Sequence, residues 1–141
     1  MKEGITASFG TVVISFITYA FGGFDAGLIA LVSFILVDYV LGFIVAAVFR
    51  KSKKSKNGGR ESAAGYKGLI KKGLYLLTVY IAVQLDIVIG SDFIRNAVVI
   101  AFISNELISI IENMGIMGVP IPAVILRAID VLNKKGNGDD K

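Results

Sequence analysis

Apolar residues form four long runs along the chain, and short polar or glycine-containing segments separate them. The runs lie at 5–21, 24–49, 73–89 and 93–113. A helix rises about 1.5 Å per residue, and about 20 mainly apolar residues are needed to cross the hydrocarbon core of a bilayer. The pattern therefore predicts an all-α integral membrane protein with about four transmembrane helices.

The run at 5–21 is the least hydrophobic of the four, and it allows two other interpretations. An apolar helix lying in the membrane interface would leave three spans plus an interfacial N-terminal helix. A cleaved signal peptide is disfavoured, because Glu3 offsets Lys2 and because the bulky Tyr19 and Phe21 crowd the candidate cleavage site.

Changes in composition divide the chain into five segments. They are an N-terminal transmembrane hairpin at 1–49, a basic cytoplasmic loop at 50–72, a C-terminal transmembrane hairpin at 73–113, a Gly/Pro turn and amphipathic helix at 114–134, and a disordered tail at 135–141. The amphipathic helix carries Arg127, Asp130 and Lys134 on one narrow face. We expect it to lie on the inner leaflet or against a neighbouring helix.

The run at 93–113 is apolar enough to cross a membrane, yet it carries a polar stripe. At 100° per residue, its polar side chains gather on or beside one face of a helix: Arg95, Asn105, Glu106, Ser109, Glu112 and Asn113. A charged side chain at the centre of a bilayer costs roughly 2.5–3.5 kcal/mol on insertion scales. We therefore expect the stripe, and Asp38 in the second run, to face protein or water and to avoid lipid.

Self-association of the striped helix would build a polar passage through the membrane. At low density the stripe would be satisfied by pairs such as Arg95 with Asp92, or Glu106 and Ser109 with a neighbouring helix. At high density the same groups would line water. Glu106→Leu or Ser109→Leu should then insert normally but form no lesions. In the alternative interpretation the stripe only fixes the fold, and its enclosure within one subunit would remove this reason for expecting a pore.

Small residues and one further carboxylate complete the predicted spans. Two pairs at the spacing that lets helices approach closely are predicted to mediate packing: Gly23 with Gly27, and Gly42 with Ala46. Asp86 lies near the far end of the third run, and we expect it to face the outer headgroups.

Charge is unevenly distributed along the 141 residues. Hydrophobic residues are 55% and charged residues 18%, and the mean hydropathy is +0.73, more apolar sequence than a soluble domain of this size can bury. Nine of the fifteen Lys and Arg lie in 50–72, which predicts a cytoplasmic loop and cytoplasmic termini. Eight of these residues are assigned to topology and contact with anionic lipid: Arg50, Lys51, Lys53, Lys54, Lys56, Arg60, Lys71 and Lys72. Without interleaved aromatic residues, nucleic acid is not an expected partner.

Catalysis is not expected from this composition. The chain has no Cys and no His, which removes thiolate chemistry, the commonest general base and the commonest metal ligand. It also has no glycine-rich phosphate loop and no dense acidic cluster for metals. We expect no enzyme activity, no cofactor and no metal.

Several motifs together resemble the toxin-secretion/phage-lysis holin family. They are Asp-Tyr-x-x-Gly at 38–42, Gly-Leu-x-x-Lys at 68–72, Glu-x-x-Ser-Ile-x-Glu-Asn at 106–113 and Gly-x-Pro-x-Pro at 118–122. The resemblance covers roughly residues 25–132, and its third and fourth motifs are the specific ones. It implies a small phage-encoded protein in the bacterial cytoplasmic membrane. Such a protein forms homo-oligomers and opens lesions through which endolysin, or a toxin, leaves the cell.

Two other functions remain compatible with the residues. A small ion channel, or a proton or cation transporter, would use Asp38 and Glu106 as intramembrane carboxylates and would conduct selectively. A structural membrane protein would recruit partners through its basic loop and terminal helix, and its overexpression would not permeabilise the membrane.

Overall fold

The computed structural model describes residues 2–49 and 61–138. Six of the residues predicted to contact lipid lie outside this part of the chain: Arg50, Lys51, Lys53, Lys54, Lys56 and Arg60. The end of the predicted tail, 139–141, lies outside it as well.

The described residues fold into five α-helices, and the predicted all-α class is confirmed. The helices are α1 (Lys2–Phe21), α2 (Ala26–Ala47), α3 (Glu61–Ile89), α4 (Phe93–Ile116) and α5 (Ala123–Gly136). Three of them are long and apolar enough to cross a membrane: α2, the Gly65–Ile89 part of α3, and α4. The apolar part of α1, Ser8–Phe21, is shorter. The described residues therefore contain three candidate spans, and the interfacial position of the N-terminal helix stays a prediction.

Helix α4 lies at the centre of the bundle. It packs against α2 and α3 on one side and against α5 on another. Since Asp25 meets Arg95 and Asp38 meets Asn113, α2 and α4 run in the same direction. Helix α3 runs in the opposite direction, and a core of Leu31, Val79, Val99 and Ile103 fills the space between the three helices.

The turn between α1 and α2 depends on two glycines with left-handed backbone. Gly22 has φ 71° and Gly23 has φ 121°, which residues with a Cβ rarely adopt. The Asp25 side chain then caps α2 by accepting a hydrogen bond from the Leu28 amide at 2.9 Å. A Cβ on Gly23 would meet nothing within 4 Å. The prediction that Gly23 mediates helix packing is therefore wrong, because its role is in the turn.

The other small residues predicted to mediate packing lie on α2. A Cβ on Gly27 would come within 3.4 Å of the Val99 side chain, so this glycine lies close to α4. Gly42 lies farther away, with a Cβ position 4.0 Å from Nδ2 of Asn113. Ala46 is partly buried.

Helix α3 begins at Glu61, twelve residues before the start of the predicted span at 73. The part of the predicted loop at 61–72 is therefore helical, and the prediction of a loop there is wrong. Ala63, Ala64 and Leu69 are strong helix formers, and they outweigh Gly65 and Gly68 in this segment. The added helical turns bring Lys72 inside the bundle.

Candidate functional site

A buried ionic cluster joins the three long helices. Nζ of Lys72 on α3 lies 2.8 Å from Oδ2 of Asp38 on α2 and 2.5 Å from Oε2 of Glu106 on α4. The side chains are 8%, 6% and 4% exposed, respectively. A buried charge without a partner costs several kcal/mol, so each of these groups depends on the others. The prediction that Lys72 contacts lipid is wrong, because its ammonium is enclosed between two carboxylates.

Asn113 extends this cluster on α4. Its Nδ2 donates a hydrogen bond to Oδ1 of Asp38 at 3.0 Å, and Asn113 is 5% exposed. Asp38 therefore accepts from a cation through one oxygen and from an amide through the other. This arrangement fixes the position of α2 against both α3 and α4.

A second polar centre lies at the opposite end of α4, around Arg95. Its Nη1 and Nη2 contact the two carboxylate oxygens of Asp25 at 2.5 and 3.1 Å. Its Nε donates to the Phe21 carbonyl at 2.9 Å, and Nη2 donates to the Gly23 carbonyl at 3.2 Å. The predicted pairing of Arg95 with Asp92 is wrong, because the guanidinium instead binds the turn between α1 and α2. Its planar donors suit this combination of a carboxylate and two carbonyls.

Asp25 is half-exposed, although it binds the buried Arg95. The hydrogen bond from the Arg95 guanidinium holds the pKa of the Asp25 carboxyl below its ordinary value of 3.8.

Asp86 on α3 caps the first turn of α4. Its Oδ1 accepts from the Ser91 hydroxyl at 2.6 Å and from the Ile94 amide at 3.0 Å. Its Oδ2 accepts from the Arg95 amide at 2.8 Å. The expectation that Asp86 faces the outer headgroups is wrong, because the residue is 7% exposed and satisfies amides at the start of α4.

Helix α5 folds back along α4 on the side away from this network. Asn133 and Ser104 are joined by a hydrogen bond between their side chains. A Cβ on Gly136 would lie 3.3 Å from Cα of Ala101, so the end of α5 approaches the backbone of α4 closely. Of the two positions predicted for the amphipathic helix, this is the one against a neighbouring helix.

The amino-acid sequence matches known proteins over most of its length. A sequence model described as the bacteriophage holin family matches residues 15–134. The chain belongs to the bacteriophage holin family. This is a family of membrane pore-forming proteins without enzymatic activity, and its match includes α2, α3, α4 and most of α5.

Relatives of this holin-family chain occur in bacteria and in a phage. An uncharacterized 14.9 kDa protein of Clostridium perfringens is 39% identical over 96% of this chain and 94% of its own length. An uncharacterized protein of Clostridium perfringens strain 13 is 38% identical over 85% of this chain and 84% of its own length. A protein of Bacillus phage phi105 described as a "Probable holin" is 30% identical over 75% of this chain and 76% of its own length. No solved structure matches the chain.

The polar stripe predicted on α4 of this holin-family protein is divided between the interior and the surface. Arg95, Glu106 and Asn113 are buried inside one subunit, and Ser109 is partly buried. Asn105 and Glu112 are exposed, and Nδ2 of Asn105 lies 2.5 Å from the Tyr75 hydroxyl. Because its central members are enclosed within the subunit, the stripe by itself no longer supports a pore. The family match therefore carries the functional conclusion.

Sequence reasoning missed the partners that this holin-family fold places around the stripe. The burial of Lys72 and Asp86 could have been detected from their spacing. Each lies seven residues from the buried Val79, so all three share one face of α3. For Asp25, in contrast, nothing in the sequence indicates a contact with Arg95. Among the described residues, no group of three or more Asp or Glu is placed to hold a metal ion.

Proposed function

We propose that this protein is a holin that assembles as a homo-oligomer in the bacterial cytoplasmic membrane and opens lesions in it. The observation that carries this proposal is the family match over residues 15–134. Three helices of spanning length and composition are consistent with it. The lesions would release an endolysin, or a toxin, from the cytoplasm during host lysis or secretion.

The buried ionic cluster has a defined role in this proposal. In a single subunit, Lys72 links Asp38 and Glu106 and closes the space between α2, α3 and α4. These contacts pair Asp38 and Glu106 within one subunit, so in this proposal the lesion comes from assembly of several copies. Assembly is favoured by mass action as the protein accumulates in the membrane.

The orientation follows from charge. The basic residues at 50–60 and the exposed Lys71 would remain in the cytoplasm and contact anionic lipids, and the end of α4 would lie on the same side. The C-terminal segment then begins at the cytoplasmic surface. A cytoplasmic N-terminus requires α1 to cross the membrane as well.

Controlled expression in bacteria tests the proposal. Membrane potential is followed together with the escape of a small dye and of a folded reporter protein from the cytoplasm. A holin should give an abrupt collapse of the potential with escape of both dye and protein, after a delay that shortens as expression rises. An unrelated three-span membrane protein made at the same level controls for overloading of the membrane. Cells that retain the reporter while the protein accumulates would contradict the proposal.

A selective ion or proton pathway is the second candidate. The observation that favours it is the convergence of two carboxylates, Asp38 and Glu106, on one ammonium inside the bundle. Intramembrane ionisable groups commonly mark ion or proton pathways. The same experiment separates the two, because a channel would depolarise the membrane while the reporter protein stayed inside.

A further inference from the structure

The outward face of α5 is charged. Arg127, Asp130 and Lys134 are exposed and share this face, whereas Ile129 is buried on the side that packs against α4. The docking of α5 to α4 therefore buries Ile129 and directs three charged side chains away from the bundle, beside the exposed Val124 and Val131. Its fourteen residues are too few to cross a bilayer, and they fit a helix that enters partway.

The depth of the outward face of α5 in the membrane follows from the alignment of α5 along α4. Helix α4 has 24 residues and is about 36 Å long, and Ala101 lies about 12 Å from its beginning. Gly136 lies beside Ala101, and Asn133 is bonded to Ser104 one turn farther along α4. Since α5 runs antiparallel, Lys134 is level with a point near the middle of α4. If α4 spans the membrane, the charges on α5 extend from the cytoplasmic side to about mid-depth.

Lipid cannot solvate charged side chains at that depth. The nearest edge of the hydrocarbon core is about 15 Å from its middle, farther than a lysine side chain reaches. Charged residues within membranes face protein or a water-filled cavity for this reason. The exposed face of α5 therefore needs contact with water at a membrane depth where a single subunit would be surrounded by lipid.

We propose that the outward face of α5, formed by Arg127, Asp130 and Lys134, lines the water inside the assembled lesion. A ring of copies of this chain encloses the water, and each copy contributes one α5. This inference rests on the proposed holin function and assigns the lining to a different surface from the α4 stripe. The exposure of these charges to lipid in separate subunits favours association of the copies.

Single cysteines test the inference, because the natural chain contains none. Lys134→Cys and Asp130→Cys report on the outward face of α5. Leu36→Cys is the control, because Leu36 is 60% exposed and lies near the middle of α2. N-ethylmaleimide crosses membranes and reacts with thiolates, which form in water and not in an apolar environment. Cells expressing each variant are treated before and after the collapse of membrane potential, and the modified fraction is measured by mass spectrometry.

We expect both α5 cysteines to react with N-ethylmaleimide only after the collapse of membrane potential. Their rate of modification should then be roughly tenfold or more above that of the cysteine in Leu36→Cys. Reactivity before the collapse would place α5 on the membrane surface and overturn the inference. Cysteines that stay unreactive while the cells become permeable would place this face against protein, which overturns the inference and leaves the holin function intact. If the unaltered chain causes no permeability, the proposed function and this inference both fail.

Discussion

Nζ of Lys72 lies 2.8 Å from Oδ2 of Asp38, although 34 residues separate the two along the chain. The same nitrogen contacts Glu106, so one ammonium binds carboxylates from two other helices. Removing one member of such a buried set leaves the others without compensation, whereas replacing all of them with neutral residues can be tolerated.

Lys72→Met should destabilise the protein strongly. We expect a loss of about 3–5 kcal/mol in the free energy of unfolding, because the buried Asp38 and Glu106 both lose the ammonium that they share. Thermal unfolding in detergent micelles, followed by circular dichroism, measures the effect. Lys71→Met is the matched control, since Lys71 is exposed, and it should change stability by about 0.5 kcal/mol or less. The triple variant Asp38→Asn, Lys72→Met, Glu106→Gln should recover much of the loss. Equal stability of Lys72→Met and Lys71→Met would contradict the stabilising role of the buried ionic cluster.

This cluster also changes how a Glu106→Leu variant is to be interpreted. The sequence predicts normal insertion without lesion formation, but Lys72 now loses one of its two carboxylate partners in this variant. A loss of lesion formation can therefore come from a damaged fold. Unfolding has to be measured beside lysis before Glu106 is given a role in the lesion.

Arg95→Lys should loosen the turn between α1 and α2. A lysine has one nitrogen, so it cannot bind both oxygens of Asp25 and the two carbonyls together. We expect a loss of about 1.5–3 kcal/mol, the range for hydrogen bonds to charged groups. Limited proteolysis at the turn and thermal unfolding are the measurements. Arg127→Lys is the control because Arg127 is exposed on α5, and similar proteolysis of the two variants would count against the role of Arg95.

The contact between Asp25 and Arg95 should give a pH-dependent contribution to stability. The pKa of Asp25 is lower in the folded protein than its ordinary value of 3.8, so the contribution is present above that value and is lost as the pH falls through the folded pKa. Wild type should therefore be more stable than Asp25→Asn at neutral pH, and the difference should shrink below about pH 4. Melting temperatures of both proteins between pH 7 and pH 3 test this. A difference that stays constant over this range would exclude the effect.

Asp86→Ala should weaken the start of α4. The substitution removes acceptors from the Ile94 and Arg95 amides, and loss of a helix cap costs about 0.5–2 kcal/mol. Hydrogen exchange of the amides in the first turn of α4 should accelerate. Asp92→Ala is the control, because the side chain of Asp92 makes no capping hydrogen bond although it stands at the N-cap position. Faster exchange in Asp92→Ala than in Asp86→Ala would reverse the assignment of the cap.

Gly136→Val should displace the end of α5 from α4. A Cβ at this position already lies within 3.4 Å of three atoms of Ala101, two of them backbone atoms, and overpacking of this kind costs about 1–3 kcal/mol. Gly115→Ala is the control in open space within α4, where replacing glycine should stabilise the helix by up to about 1 kcal/mol. A disulfide between cysteines introduced at Ser104 and Asn133 reports the docking, and its yield should fall in Gly136→Val. An unchanged yield would show that α5 tolerates the added side chain.

The long helices were predictable from the sequence because burial in lipid selects runs of apolar residues, and such runs are visible without a structure. The presence of an amphipathic helix near the C-terminus was predictable for the same reason. Its docking was not, because an apolar stripe on a short helix fits a membrane surface and a neighbouring helix equally well. The contact of Gly136 with the α4 backbone decides between these positions in the structure.

The partners of the polar residues were harder to predict. Lys72 belongs to a basic run, and the positive-inside rule explains that run without giving any residue a buried role. Its two partners lie on other helices, at separations that no local periodicity encodes. The polar stripe on α4 was recognised, but a stripe facing protein and a stripe facing water have the same spacing in the sequence.

The binding of Arg95 to the turn after α1 has a consequence for tolerance to substitution. Two of its acceptors, at Phe21 and Gly23, are main-chain carbonyls, which remain whatever side chains those positions carry. A replacement that leaves the path of the chain unchanged should therefore preserve these two contacts. Few residue types should be tolerated at the positions that set the backbone path of the turn or supply the carboxylate. More should be tolerated at Phe24, whose side chain is exposed.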